Sequence, residues 1–326
     1  MRAAYRSFGK LFCAGAVLLI ILSAQAQNLF EANFVSDNVY EYTSGGGQSI
    51  FASGFNFWPT GLAFDSAGNL FVAVSSGALA GQGYITEITP SGAQSTFASG
   101  LQGPYGLAFN GTGNLFEADW GSGSIYEFAP NGTQSTFASG MHGPNGLAFN
   151  SAGDLFVVDL SGNVYEVTPG GVQSTFASGL NNPYGLAFNS AGDLFVADAG
   201  SGNIYEFTPN GTESVFASGL DYPQWLAFNN AGDLFVSENN GGNGNGNIYE
   251  FTPNGTETTF ASGLDDPEGI VFQGQTLPVP EPSPLGLVTI GTTILLIFVH
   301  RNRITASQDS AAKADCPLRF RLRYEI

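Results

Sequence analysis

Short apolar runs separated by turn residues follow one another along most of this chain. Residues 183–219 read PYGLAFNSAGDLFVADAGSGNIYEFTPNGTESVFASG, with apolar runs at GLAF, DLFVAD, NIYEF and ESVFAS and with NSAG, AGSG and TPNG between them. Gly, Asn, Ser and Pro favour turns, whereas aromatic and β-branched residues favour strands. This segment is therefore predicted to form four antiparallel strands.

The second of these strands is apolar on both faces. In DLFVAD, Leu194 and Val196 point to one side of the strand, and Phe195 and Ala197 point to the other. A sheet with one face in water would alternate apolar and polar residues instead. The pattern predicts a sheet that neighbouring sheets cover on both faces, as in a β-propeller.

The segment is one unit of a tandem repeat. The sequence FASG recurs at residues 51, 97, 137, 176, 216 and 260, with spacings of 46, 40, 39, 40 and 44 residues. Repeats of this length are typical of propellers and solenoids. Leucine-rich and ankyrin-type solenoids need a helix or a different Leu and Asn spacing, and neither pattern is present.

The order of the repeats predicts how the molecule closes. Each of the four strand types occurs six times, but the series starts on the second type near residue 28 and ends on the first type, in DPEGIVFQG at 266–274. This last fragment can complete the first sheet, which leaves no unpaired sheet where the ring meets itself. We predict an all-β fold over residues 27–274: a six-bladed β-propeller of four-stranded antiparallel blades, closed by a C-terminal strand in the N-terminal blade.

Two rings of side chains are predicted at the ends of the inner strands. The residue after the proline that starts each innermost strand should lie near the mouth of the central channel, and this ring is our candidate ligand-binding surface; an unused, water-filled mouth is the alternative. Its members are Thr60, Tyr105, Asn145, Tyr184, Gln224 and Glu268. A second ring ends the following strands, where carboxylates before Gly and Ser are predicted to cap loops. It consists of Asn33, Val74, Asp119, Asp159, Asp198 and Glu238.

Charge is distributed very unevenly along the chain. All 9 Lys and Arg residues lie before residue 27 or after residue 300, whereas 24 of the 27 Asp and Glu residues lie within 27–283. Binding to nucleic acid requires a basic surface for the phosphates. The predicted propeller has none, so nucleic acid is excluded as a partner.

The N-terminus is typical of an export signal. A basic stretch with Arg2, Arg6 and Lys10 precedes an apolar run and the sequence Ala-Gln-Ala at 24–26. We therefore predict a signal peptide over residues 1–26, with an uncleaved anchor as the alternative. The 2 cysteines, Cys13 and Cys316, lie outside residues 27–274. A disulfide scaffold, a cysteine metal cluster and a cysteine nucleophile are thus excluded in the propeller.

The repeats DLFVADAGSGNIYEF and PYGLAF resemble those of NHL-type and gluconolactonase-like six-bladed propellers. In the gluconolactonase-like group, Glu, Asn and Asp side chains hold a divalent cation over the channel. The resemblance implies Asn145 and Glu268 as two ligands for Ca²⁺ or another divalent cation, but Tyr184 and Tyr105 stand at the other candidate positions. Two ligands make an incomplete site for a hard cation.

Other catalytic chemistry has few candidates in the predicted propeller. Its one histidine, His142, lies in a loop before an innermost strand, where a solvated role is expected. The numerous Ser and Thr residues therefore lack a base for nucleophilic catalysis. We predict no catalytic residues and favour a non-enzymatic protein. The alternative is a gluconolactonase-like, divalent-metal-dependent lactonase or related hydrolase acting at the channel mouth.

The C-terminus carries a distinct motif. Residues 279–303, VPEPSPLGLVTIGTTILLIFVHRNR, combine Pro280-Glu281-Pro282 with an apolar run and two arginines. This segment resembles a PEP-CTERM sorting signal. The resemblance implies bacterial export, transient anchoring in the inner membrane, and an exosortase-type processing enzyme as a partner, in bacteria that make exopolysaccharide. An ordinary C-terminal anchor is the alternative, although 15 apolar residues span only about 22 Å as a helix.

These features divide the chain into five segments: a signal peptide at 1–26, the propeller at 27–274, a Pro-rich linker at 275–284, a transmembrane sorting segment with its basic flank at 285–303, and a disordered tail at 304–326. We predict an exported cell-surface or extracellular-matrix propeller that acts as a binding or structural module. Exopolysaccharide and other matrix components are its candidate partners.

Overall fold

The computed structural model describes residues 27–77, 81–239 and 244–274. In these ranges the chain forms six four-stranded antiparallel sheets, which confirms the predicted all-β, six-bladed propeller. The predicted signal peptide, Pro-rich linker, sorting segment and tail lie outside the described residues. None of the described residues belongs to a helix with the length and apolarity needed to cross a membrane.

The strands fall into four sets by their distance from the central axis. The innermost strands are β4 (Trp58–Phe64), β8 (Pro104–Phe109), β12 (Pro144–Phe149), β16 (Pro183–Phe188), β20 (Pro223–Phe228) and β24 (Pro267–Phe272). The second strands are β1 (Leu29–Asn33), β5 (Leu70–Ser75), β9 (Leu115–Asp119), β13 (Leu155–Asp159), β17 (Leu194–Asp198) and β21 (Leu234–Glu238). The third strands are β2 (Asn38–Tyr42), β6 (Gly83–Ile88), β10 (Ser124–Phe128), β14 (Asn163–Val167), β18 (Asn203–Phe207) and β22 (Gly246–Phe251). The outermost strands are β3 (Gln48–Ser53), β7 (Gln94–Leu101), β11 (Gln134–Ser139), β15 (Gln173–Ser178), β19 (Glu213–Ser218) and β23 (Glu257–Leu264).

We number the blades by the position of their outermost strand along the chain. Blade 1 has the order β24-β1-β2-β3, and blades 2 to 6 each consist of four consecutive strands from β4 onward. The second strands are buried along their whole length, whereas the outermost strands are largely exposed. The predicted burial of both faces of the second strand is therefore confirmed.

Blade 1 joins the two ends of the propeller. Strand β24 pairs antiparallel with β1, so that Phe272 lies opposite Leu29 and Ile270 lies opposite Glu31. The amide of Gln273 also donates to the carbonyl oxygen of Asn28 at 3.1 Å. The fragment at 266–274 thus supplies the innermost strand of the first blade, as its sequence predicts.

A phenylalanine triad repeats at each junction between neighbouring blades. The Phe of a second strand packs edge-on against the Phe of FASG in its own blade and against the last Phe of the next blade's innermost strand. The six triads are Phe30–Phe51–Phe64, Phe71–Phe97–Phe109, Phe116–Phe137–Phe149, Phe156–Phe176–Phe188, Phe195–Phe216–Phe228 and Phe235–Phe260–Phe272. The last triad joins blade 6 to the closing strand, with Phe235 and Phe272 centroids 4.8 Å apart.

The innermost strands approach one another closely around the axis. A Cβ atom on Gly185 would lie 2.5 Å from the carbonyl oxygen of Gln224 in the next blade, and one on Gly269 would lie 2.1 Å from the carbonyl oxygen of Thr60. Such distances exclude any side chain, because carbon and oxygen in contact are normally more than 3 Å apart. Packing around the channel therefore requires the glycine of Pro-x-Gly in the five blades that carry it.

Candidate functional site

The six predicted channel residues occupy equivalent positions near the start of the innermost strands. Four of them, Thr60, Asn145, Gln224 and Glu268, are buried, with at most 5% of their surface exposed. Tyr105 and Tyr184 are half-buried. The structure thus gathers the predicted residues into one ring around the axis, but most of its polar groups face protein rather than solvent.

Part of this ring bonds one blade to the next. The hydroxyl of Thr60 donates to the carbonyl oxygen of Pro104 in the following blade at 3.0 Å. The amide Nδ2 of Asn145 donates to the carbonyl oxygen of Pro183 in its following blade at 3.4 Å. Both side chains therefore stabilise the junction between innermost strands.

Glu268 forms hydrogen bonds with Gln224 of the neighbouring blade 6. When the Gln224 amide is oriented to satisfy its surroundings, its nitrogen lies 2.8 and 3.2 Å from the two carboxyl oxygens of Glu268, and its oxygen accepts from Asn239 Nδ2 at 3.0 Å. Burial, together with the negative charge of Asp266, raises the pKa of Glu268 to about 8. At neutral pH this carboxyl is therefore mostly protonated.

Tyrosines and carboxyls from blades 1, 3, 5 and 6 come together at the channel mouth. The rings of Tyr184 and Tyr222 lie 5.8 Å apart. Burial raises the pKa of Tyr105, and the negative charges of Glu268 and Asp266 raise it further, although Tyr105 belongs to blade 3 and the two acids belong to blade 1. We call Tyr105, Tyr184, Tyr222, Asp266 and Glu268 the mouth sector.

Backbone strain occurs in three of these four blades. The residue before the proline of the innermost strand has positive φ in five blades, and it is glycine in two of them, Gly103 and Gly143. In the other three it is Asn182, Tyr222 or Asp266, with φ of 60°, 63° and 63°. Non-glycine residues in this region cost about 1–3 kcal/mol each and often cluster at functional sites. These three residues were not predicted from the sequence, although the change from Gly-Pro to Asn-Pro, Tyr-Pro and Asp-Pro was visible.

Trp225 is a second feature of this region that was not predicted from the sequence. It replaces the glycine that follows the ring residue in the other five blades, and it is buried. Ser237 on the neighbouring strand links this position to blade 1. Its hydroxyl donates to the carbonyl oxygen of Glu268 at 2.8 Å and accepts from the amide of Trp225 at 3.0 Å. In the sequence this feature is visible as Pro-Gln-Trp at 223–225, where the other blades have Pro-x-Gly.

The second predicted ring caps loops, as expected: Asp119 accepts from the amide of Ser122 at 2.9 Å, and Asp159 accepts from the amide of Ser161 at 3.0 Å, in the turns that follow them. In four blades its carboxylate accepts a hydrogen bond from the backbone amide 17 residues earlier, at the approach to the innermost strand. These bonds are Gln102 to Asp119 at 2.7 Å, His142 to Asp159 at 3.1 Å, Asn181 to Asp198 at 2.8 Å, and Asp221 to Glu238 at 2.5 Å. Asn33 accepts from the amide of Ser36, and Val74 interrupts the ring.

The described residues do not fit the cation that the family resemblance implies. Asn145 Oδ1 is buried without a hydrogen-bond partner and could serve as one ligand, whereas Glu268, the other candidate, is occupied by Gln224. Within 27–77, 81–239 and 244–274 there is no group of three or more His, Cys, Asp and Glu that could hold a metal ion. His142 is exposed on its loop, in agreement with the solvated role expected for it.

Comparisons with known proteins agree with this architecture. A sequence model of the SMP-30/gluconolactonase/LRE-like region family matches residues 59–240. Virginiamycin B lyase from Staphylococcus aureus superposes with a TM-score of 0.56 at 13% identity, covering 77% of this chain and 92% of the lyase. A streptogramin B lyase gives 0.52 at 16% identity, covering 72% of this chain and 73% of that lyase. A catalytically inactive virginiamycin B lyase from S. aureus with quinupristin gives 0.55 at 15% identity, covering 73% and 85%. These identities indicate a shared fold only, and no curated protein sequence matches the chain.

Proposed function

Because this chain belongs to the SMP-30/gluconolactonase/LRE-like region family, whose fold supports more than one function, we propose a function from the residues of its own channel. The chain is an exported, non-catalytic β-propeller that serves as a binding and structural module at the cell surface or in the extracellular matrix. Neither an activity nor a ligand follows from the fold, so the proposal rests on the residues around the channel.

The observation that carries the proposal is how the channel ring uses its polar groups. Thr60 and Asn145 bond to backbone carbonyls of neighbouring blades, and Gln224 bonds to Glu268. A catalytic group must be free to exchange protons or ligands with a substrate. Side chains committed to holding the blades together favour a structural role for the ring, with the half-buried tyrosines of the mouth sector as the surface that can contact a partner.

A divalent-metal-dependent lactonase is the rival, and one observation favours it. Asn145 Oδ1 is a buried oxygen without a hydrogen-bond partner among the described residues, and unsatisfied buried polar atoms are uncommon in native proteins. With Glu268 it would supply two oxygen ligands, the class that Ca²⁺ prefers. This pair also makes the rival directly testable.

We expect the purified full-length protein to leave sugar lactones, phosphodiesters and quinupristin unchanged in the presence of calcium, magnesium or zinc. We also expect calcium and magnesium at equal millimolar concentration to shift the melting temperature equally, as ionic screening alone does. Product formation and thermal unfolding measure the two outcomes. Turnover that Asn145→Ala and Glu268→Ala abolish, while the exposed control variant His142→Ala retains it, would establish the hydrolase instead.

Export and sorting form the second part of the proposal. They are supported by the basic and apolar N-terminal residues 1–26, by Pro280-Glu281-Pro282, and by the apolar run that precedes Arg301 and Arg303. In this scheme the protein is held in the inner membrane until an exosortase-type enzyme processes it, after which it reaches the surface or the matrix. Exopolysaccharide and other matrix components are its proposed partners.

Changing Pro280-Glu281-Pro282 to three alanines is expected to prevent this processing. In the natural host, a tag at the C-terminus should disappear from the wild-type protein and persist on the variant, which should accumulate in the membrane fraction. Pro284→Ala, just outside the motif, is the matched control and should behave as wild type. Equal retention of the tag in wild type and variant would indicate an ordinary anchor.

A further inference from the structure

Blade 2 carries an open groove on its outer strands. Its volume is about 530 Å³, within the range of small-molecule sites. Strands β6 and β7 supply most of its lining, including Tyr84, Thr86, Gln94, Thr96 and Ser99, and Asn56 borders it. Thr86 is 5% exposed, whereas Gln94, Thr96 and Ser99 are exposed, so Thr86 lies at the inner end of the groove.

Blade 2 departs from the other five blades at two positions on its third strand that line the groove, which Gly81 and Gln82 of the preceding loop also border. At the position of Thr86 the other blades all carry tyrosine, and at the position of Tyr84 four of them carry asparagine. In those four blades the Asn side chain donates to the Tyr hydroxyl two residues later: Asn38 to Tyr40, Asn163 to Tyr165, Asn203 to Tyr205 and Asn247 to Tyr249, at 3.1–3.3 Å. Blade 2 has the tyrosine first and a small hydroxyl second, so the space that a tyrosine occupies elsewhere is left open.

The lining has the chemistry of a sugar-binding surface. Side-chain amides and hydroxyls can both donate to and accept from sugar hydroxyl groups, and the ring of Tyr84, which packs partly against the hydrophobic core, borders the groove. Tyr84 is held in place because its hydroxyl accepts from the backbone amide of Asn56 at 3.1 Å. Gln94 is likewise positioned, since its Nε2 donates to the carbonyl oxygen of Ser53 at 3.2 Å. None of these groove residues carries a charge.

The charge of the surrounding protein decides which sugars can bind. Residues 27–283 contain 24 carboxylic acids and no Lys or Arg. An anionic polymer would therefore be repelled, and like-charge repulsion is an effective means of excluding a partner. We propose that the blade 2 groove is a binding site for a neutral glycan chain, separate from the mouth sector and independent of whether the channel is catalytic.

The double variant Tyr84→Asn/Thr86→Tyr tests this proposal by giving blade 2 the residues of the other blades. Because four blades already fold with this pair, the variant is expected to fold normally, which its melting temperature checks. Native electrophoresis of the full-length protein through gels containing dextran, hydroxyethyl cellulose, galactomannan or alginate measures binding. We expect at least one neutral polysaccharide to retard the wild-type protein, alginate not to, and the double variant to bind at least about tenfold more weakly.

A matched pair of single variants locates the interaction. QSTFAS occurs identically at 94–99 in blade 2 and at 173–178 in blade 4, where Tyr165 occupies the corresponding space. Gln94→Ala should weaken retardation, and Gln173→Ala should leave it unchanged. The proposal is wrong if no neutral polysaccharide retards the wild-type protein, if alginate retards it as strongly, or if the folded double variant is retarded as strongly as wild type.

Discussion

Removal of residues 266–274 from the full chain is expected to abolish cooperative unfolding of the propeller. These residues contain β24, so their loss leaves β1 with an unpaired edge and exposes the junction between blades 1 and 6. Ile270 and Phe272 are 2% and 4% exposed, and burying side chains of this size contributes about 1.5–3 kcal/mol each. We expect the variant to aggregate, or to melt at a much lower temperature over a broad range in calorimetry.

A point variant distinguishes ring closure from a general effect of truncation. Phe272 in the closing strand and Phe149 in blade 4 hold equivalent positions, with ring contacts of 4.8 Å to Phe235 and 4.9 Å to Phe116. If the ring is closed, Phe272→Ala and Phe149→Ala should each reduce the free energy of unfolding by about 3–5 kcal/mol. If the ends of the propeller do not meet, Phe272→Ala should reduce the free energy of unfolding far less than Phe149→Ala does. Chemical denaturation of both variants measures the difference.

Glu117→Val is expected to stabilise the protein by about 2 kcal/mol at neutral pH. Glu117 is fully buried in β9, and neither of its carboxyl oxygens has a hydrogen-bond partner among the described residues. Burial, with the nearby charge of Asp119, raises its pKa well above the usual range. Valine fits the site, because four other blades carry it at this register: Val72, Val157, Val196 and Val236. Urea unfolding at pH 7 provides the measurement.

Glu31 provides the matched control, since it is the one other glutamate at this register. Its carboxyl oxygens accept from Asn33 Nδ2 at 3.1 Å and from the Tyr42 hydroxyl at 3.2 Å. Glu31→Val removes both bonds and leaves the partners buried, so it should be neutral or destabilising. If Glu117→Val and Glu31→Val both stabilised the protein, the missing hydrogen bonds of Glu117 would not explain the gain in stability.

These buried carboxyls also give the propeller a pH dependence, which serves as a second readout for Glu117→Val. Burial raises the pKa of Glu31 and Glu268 from 4.5 to about 8. The folded protein therefore retains protons that the unfolded chain releases, so their favourable contribution is complete below about pH 4.5 and is lost as the pH rises through about 8. The melting temperature should fall over this range, and it should fall less steeply in Glu117→Val than in wild type.

The fold could be predicted because its determinants are local and repeated. Turn residues between short apolar runs indicate strands, and the order of strand types indicates that DPEGIVFQG belongs to the first blade. Loop capping by Asp119, Asp159 and Asp198 was also predictable, because an aspartate before a turn bonds to nearby backbone. None of these inferences required knowledge of which distant residues touch.

The channel could be predicted only in part, because its chemistry depends on contacts across the ring. The sequence placed Gln224 and Glu268 in one ring, but only the tertiary structure shows that they bond to each other, since they belong to different blades. The strained Tyr222 and the buried Trp225 were visible as departures from the repeat, yet their positions in the mouth were not.

The sequence by itself therefore determined the number of blades, their strands, the position of the closing strand and the absence of positive charge from the propeller. Only the tertiary structure decided which polar groups are satisfied. Glu31 and Glu117 occupy the same register in nearly identical strands. Among the described residues Glu31 has two partners, Asn33 and Tyr42, and Glu117 has none, because Asp119 and Phe128 stand at the corresponding positions. Local patterns determine where strands form, whereas the free energy of a buried polar group depends on which side chains strand pairing and packing place against it.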